Sequence, residues 1–157
     1  MTPLNLPLHP LFVHGAVVFI PLAALVAMAF VLRADWRWAL RWPTLLINAA
    51  GFVALWTTRA TGEQLMHATP DHKDLIEKHD QMAGLLTVAS TPMMLLAFFA
   101  VWSFASTTPL ASGKGAREAR QPKFAAAVKW LIVVLGVATL VFTVLTGHTG
   151  ATAAWAA

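Results

Sequence analysis

The sequence predicts an all-α protein: an integral membrane four-helix bundle in up-down-up-down order, with both termini on the outer (periplasmic) side. Three observations predict it. Of 157 residues, 58% are hydrophobic and 11% are charged, against roughly 45–50% and 25% in a soluble domain. Residues 11–32 and 81–106 contain no Asp, Glu, Lys or Arg, and each run exceeds the roughly 20 residues needed to cross a hydrocarbon core. Basic residues gather between the expected spans, Arg33, Arg37 and Arg41 in one connection and Lys114, Arg117, Arg120, Lys123 and Lys129 in another. That bias marks cytoplasmic loops.

Taken in order, the spans fall at about 10–32, 42–59, 79–106 and 126–148, with an outer loop 60–78 and an inner loop 107–124, all within a single domain 1–157. The first and third spans rest on their uncharged runs. The second and fourth are shorter and are flanked by Trp, which suits the headgroup level. The outer connection carries Glu63, Asp71, Asp74, Glu77 and Asp80 against Arg59, Lys73 and Lys78, the opposite balance to the two basic loops. The third helix is expected to start before the membrane, with Thr69 as N-cap, Pro70 at the first helical position and Asp71 and Asp74 in the first turn. Residues 1–10 lack Lys and Arg, so no cleaved signal peptide is expected. A soluble bundle is rejected because helices apolar on every side leave too little polar surface to cover them.

This arrangement limits the chemistry. The net charge of +4 is a topology signal and calls for no nucleic-acid partner. With no cysteine, disulfides, thiolate metal sites, iron–sulfur ligation and covalent haem attachment are excluded. The expected location is the bacterial inner membrane, with the lipid bilayer as the main partner.

All six histidines fall at the outer ends of the expected spans: His9 and His14 on the first, His67 after the second, His72 and His79 leading into the third, His148 closing the fourth. An ionisable group inside an apolar helix is a functional candidate by default. Haem b takes two axial nitrogens from opposite faces, a demand that facing helices meet with one histidine each. His14, about one turn into the first helix, and His79, on a stripe with Ile76, Ala83, Leu86 and Ser90, are the expected pair inside the bundle. His148 would serve a second haem or orient the first pair. His9, nearer water, would be a cap, a propionate contact or a second-site ligand. Gly15, Gly84, Gly147 and Gly150 stand beside these histidines and would admit a flat macrocycle. Arg59 is set to receive haem propionates, although alone it reads as a snorkelling boundary residue. His67 and His72 read as solvated and dispensable. Met28, Met93 and Met94 read as packing, Pro21 and Pro92 as kinks, and Gly136, Leu140, Thr143 and Gly147 as a helix-contact stripe.

The opening "HPLFVHGAVVFIPLAALV" resembles the His-Pro-x-x-Val-His segment of a bacterial membrane family known as domain of unknown function 2231. "LIEKHDQMAGL" resembles that family's third-helix segment, carrying its histidine to His79, and "LTGHTGATAAW" resembles its closing Thr-Gly-His segment, carrying that histidine to His148. The chain departs from the pattern at "GAVVFIP", where the proline comes late, and at Ala151 in place of a second glycine. The resemblance implies a four-helix module found beside Rieske or cytochrome c domains.

The leading expectation is therefore a membrane-bound haem b electron-transfer protein of cytochrome b type. It would be an electron carrier rather than a stand-alone enzyme, working at the periplasmic face between a quinol and a cytochrome c or Rieske partner. The alternatives are a protein that binds or transports copper or zinc through the same histidines with Glu63, Asp71 or Asp80, and an accessory subunit of a larger respiratory complex or a homo-oligomer.

Overall fold

The computed structural model describes residues 8–68, 73–104 and 122–155. Among them there are four long helices, α1 (Leu8–Leu32), α2 (Arg37–Ala68), α3 (Lys73–Ser103) and α4 (Ala125–Trp155), with one 3-10 turn at Ala34–Trp36. The chain is an all-α membrane protein. α1, α3 and α4 are each long and apolar enough to cross a membrane by length and composition. α2 is as long, at 32 residues, but carries Arg37, Arg41, Arg59 and Glu63. It lies along α1, the most extensive packing in the molecule.

Within the expected outer connection 60–78, residues 60–68 are helical and continue α2 past the second span, and 73–78 open α3, which starts ahead of the third span as expected. Glu63, Gln64, Leu65, Met66 and Ala68 are good helix formers with no proline among them, so the helix has no reason to stop at the membrane boundary. α4 also runs past 148 to Trp155. The proposed cap of α3 at Thr69 and Pro70, and most of the basic inner loop, lie outside the described residues.

α1 pairs with α2 and α3 with α4, while α1 against α4 and α2 against α3 close the ring. α1 and α3 also meet across the diagonal. The two hairpins are thus related by an approximate two-fold. The buried positions repeat accordingly: Ala16, Ile20, Ala23, Ala27 and Val31 on α1 match Leu86, Ser90, Met93, Ala97 and Val101 on α3, in the same helical phase. Without water to drive association inside a bilayer, close van der Waals packing must hold the helices. Small residues allow it: a Cβ on Gly51 would stand 2.9 Å from Met94 Cε and 3.2 Å from the Phe19 carbonyl oxygen, and one on Gly136 would stand 2.9 Å from Met28. The three methionines act as packing, as their depth suggested.

At the end of the bundle where α1 finishes, Arg37 is buried. Its Nε donates to the Phe30 carbonyl at 3.2 Å and its Nη2 to the Val31 carbonyl at 3.5 Å, and its guanidinium lies 4.9 Å from the Phe104 ring centre. It therefore satisfies the last carbonyls of α1, a local role beyond its contribution to charge asymmetry. Trp36, Trp38, Trp42, Trp102 and Trp130 are exposed around this end, and Trp56 and Trp155 towards the other. Between them the outer surface is Val, Leu and Phe, as a lipid-facing wall requires.

Candidate functional site

Helical phase decides which histidines enter the bundle. At about 100° per residue, His9 lies seven residues before buried Ala16 and shares its face. His14, two residues before Ala16, points to roughly the opposite side. His14 is exposed accordingly, with its Nδ1–H donating back to the Pro10 carbonyl at 2.6 Å. The expected positions of the two are thereby exchanged: His9 is half-buried against α2 and His14 faces outwards. His79 sits seven residues before buried Leu86 and does turn inwards.

His9 and His79 meet across the diagonal, with ring centres 6.4 Å apart and planes at 73°. Each is held by the helix that follows it. His9 Nδ1–H donates to the Thr58 carbonyl at 3.1 Å, with Thr61 Oγ1 at 3.4 Å from the same nitrogen. His79 Nδ1–H donates to the Thr146 carbonyl at 3.2 Å, with Thr149 Oγ1 again at 3.4 Å. A carbonyl only accepts, so Nδ1 carries a proton in both rings, and in the neutral imidazole Nε2 then keeps its lone pair.

Each ring also lies on a glycine. A Cβ on Gly62 would stand 3.1 Å from His9 Cε1, and one on Gly150 would stand 3.0 Å from His79 Cε1. The two cradles are the same sequence, Thr58-x-x-Thr61-Gly62 on α2 and Thr146-x-x-Thr149-Gly150 on α4. The repeat is readable in the chain, and it adds Thr58, Thr61, Gly62, Thr146 and Thr149 to the candidate site, residues that histidines alone do not point to. Gly15, Gly84 and Gly147 have nothing within 4 Å of where a Cβ would be, so the room they offer is not at the pair. The side-chain oxygens of Thr58 and Thr146 are buried without a hydrogen-bond partner among the described residues.

Arg59 Nη1 donates to Asp80 Oδ1 at 2.8 Å and its Nη2 stands 3.8 Å from Glu63 Oε1. It ties α2 to α3 beside His79. Here the two-fold is broken, since Gly147 occupies the place equivalent to Arg59 and Pro10 that of Asp80. His148 is exposed on α4, off the face formed by Thr146, Thr149 and Gly150. The side chain of His67 and the whole of His72 lie outside the described residues. No group of three or more His, Cys, Asp or Glu able to hold a metal ion occurs among the described residues. An open apolar groove of about 480 Å³ between α1 and α2, lined by Phe12, Phe19, Ala50 and Val53, faces away from the pair.

A family model described as "Predicted membrane protein (DUF2231)" matches residues 5–157. No curated protein and no solved structure matches the chain.

Proposed function

The chain belongs to the DUF2231 family of predicted membrane proteins, and on that premise we propose that it binds haem b between His9 and His79 and carries electrons. The observation that supports this most is the paired cradle. An imidazole–metal–imidazole row with bonds of about 2 Å puts ring centres about 6 Å apart, and the two rings stand 6.4 Å apart. Both rings are anchored through Nδ1, the arrangement that fixes tautomer and orientation in metal-ligating histidines and leaves Nε2 to the metal. Two protein ligands are all that haem iron requires, whereas zinc sites use three or four. Bound haem would supply one-electron transfer. The chain's own groups would hold it: His9 and His79 as ligands, the glycines as the floor under each ring, and Arg59, whose guanidinium has five donors, shared between Asp80 and a propionate. His14 and His148 would serve a separate site on the outer surface or none.

A visible spectrum with a pyridine haemochrome assay, on full-length protein from haem-sufficient cells, tests the reading. A low-spin bis-histidine spectrum is expected, unchanged in His14→Ala. A colourless preparation that binds copper or zinc stoichiometrically would replace haem with a bare metal, and one that binds neither would leave an accessory subunit.

We further propose that the histidine end is periplasmic in a bacterial inner membrane, facing a cytochrome c or Rieske acceptor, with quinol as donor. The basic connections at the arginine end support this orientation. A reporter fused after Ala157 should be periplasmic and one inserted near Gly113 cytoplasmic. The reverse result would put the pair on the cytoplasmic side.

A further inference from the structure

The residues of the first hairpin hollow the lipid-facing wall between its helices. The groove of about 480 Å³ between α1 and α2 runs from Leu11 to Phe19 on one helix and from Thr57 to Ala49 on the other, a length of about 12 Å at 1.5 Å per residue. Its lining is small at Gly15, Ala49, Ala50 and Ala54 and aromatic at Phe12 and Phe19. A Cβ on Gly15 would meet nothing within 4 Å. On the register that matches Ala16 with Leu86 and Thr58 with Thr146, Gly15 corresponds to Leu85, Ala49 to Val137 and Ala54 to Phe142. The second hairpin carries the larger residue at each of these three places, so the fold accepts them and the first hairpin does without. Phe19, larger than its counterpart Ala89, stands at the deep end of the groove. Concave, mostly apolar clefts of roughly 300–1,000 Å³ with few polar groups are the common form of a small-molecule site.

Position and chemistry select the occupant. The groove opens on the apolar outer wall, so its ligand arrives dissolved in the bilayer and is itself largely apolar. One polar group narrows the choice. Thr57, at the histidine end of the groove, directs its single hydroxyl proton to the carbonyls of Val53 and Ala54 at 2.8 and 3.1 Å, so towards a ligand its oxygen can only accept. An acyl chain has no proton to give, and neither has an oxidised quinone, whose ring oxygens are carbonyls. A hydroquinone has one at each ring oxygen. Its flat ring also suits contact with Phe12 and Phe19, while its isoprenoid tail stays among the lipid chains.

We propose that the α1–α2 groove is a binding site for an isoprenoid hydroquinone, with the ring against Phe12 and Phe19 and one ring hydroxyl donating to Thr57 Oγ1. Thr57 is followed by Thr58, whose carbonyl holds His9 at 3.1 Å. The groove and the histidine pair therefore lie on adjacent flanks of one turn of α2. A hydroquinone seated there would be the electron donor to the pair, a step that rests on the haem reading, whereas occupancy of the groove does not.

The test uses full-length protein in phosphatidylcholine nanodiscs under argon, photolabelled with a hydroquinone that carries a small diazirine beside its ring, with the labelled peptides mapped by mass spectrometry. Label should fall on 11–19 and 49–57, the two lips of the groove. Excess unlabelled hydroquinone should displace it several-fold more effectively than the quinone, oleic acid or a sterol. Gly15→Leu with Ala49→Val, each the residue that the second hairpin carries, should lower the label about tenfold, and Thr57→Val several-fold. Val144→Leu, on the exposed face of α4, should label as wild type. Label spread over the whole lipid-facing wall, equal displacement by oleic acid or a sterol, or full label in a folded double variant would overturn the site. Since no readout uses haem, a colourless protein that labels as expected ends the haem reading and keeps the groove, and a red protein that fails to label does the reverse.

Discussion

His9→Ala and His79→Ala should each abolish the low-spin bis-histidine spectrum, with haem affinity lowered by more than about a hundredfold. The lower bound comes from partners one step removed from a metal, whose loss already costs about 10–100-fold. Removing the nitrogen itself must do more. The two variants should behave alike because the two rings are held alike, by a carbonyl at 3.1 Å in one and 3.2 Å in the other. Imidazole added to either variant should restore a six-coordinate spectrum, since truncation to alanine leaves a space of the ligand's own shape. If both variants insert normally and keep an unchanged low-spin spectrum, this pair does not ligate the iron, and the exposed His14 and His148 become the residues to test.

The second large effect is expected at residues that carry no chemistry. Gly62→Val and Gly150→Val should each weaken haem binding by about one to two orders of magnitude, because forcing extra carbon atoms against a packed group costs about 1–3 kcal/mol and each 1.4 kcal/mol is tenfold. A single Cβ at these positions already falls 3.0–3.1 Å from an imidazole carbon. The ring must give by a few tenths of an ångström for that carbon alone and further for the methyl groups of valine, which strains the Nδ1 bond to Thr58 or Thr146. Gly84→Val is the comparison, because a Cβ there meets nothing within 4 Å. Titration with hemin measures all three, and equal affinity in Gly84→Val and Gly150→Val would remove the cradle from the account.

Much of this was legible in the chain. The uncharged runs and the basic connections suffice for an all-α membrane protein, because a bilayer admits few other solutions. The inward face of α3 was also readable, since His79, Leu86 and Ser90 return to one side at intervals of seven and four. What escaped was the phase of α1. Its apolar residues surround the helix, so nothing in composition distinguishes the face towards α3 from the face towards lipid, and depth alone favours His14 over His9. Alanines were the clue: Ala16, Ala23, Ala24 and Ala27 are buried because the α1–α3 diagonal is close, and counting back from them arrives at His9. The end of α2 escaped for a different reason. A polar stretch beyond the membrane looks like a loop in hydropathy, while its residues still favour a helix.

The approximate two-fold of the bundle would act on any flat molecule bound between the rings. Two matching walls cannot tell its left side from its right, so both seatings would be close to equal in energy if the cradles acted alone. They differ where the sequence departs from the repeat: Gly147 and Pro10 stand where Arg59 and Asp80 form their bridge, Ala151 stands where Glu63 does, and Gly84 where His14 does. Any preference between the two rotation-related seatings would therefore come from these unmatched positions and not from the rings, which the two cradles hold alike.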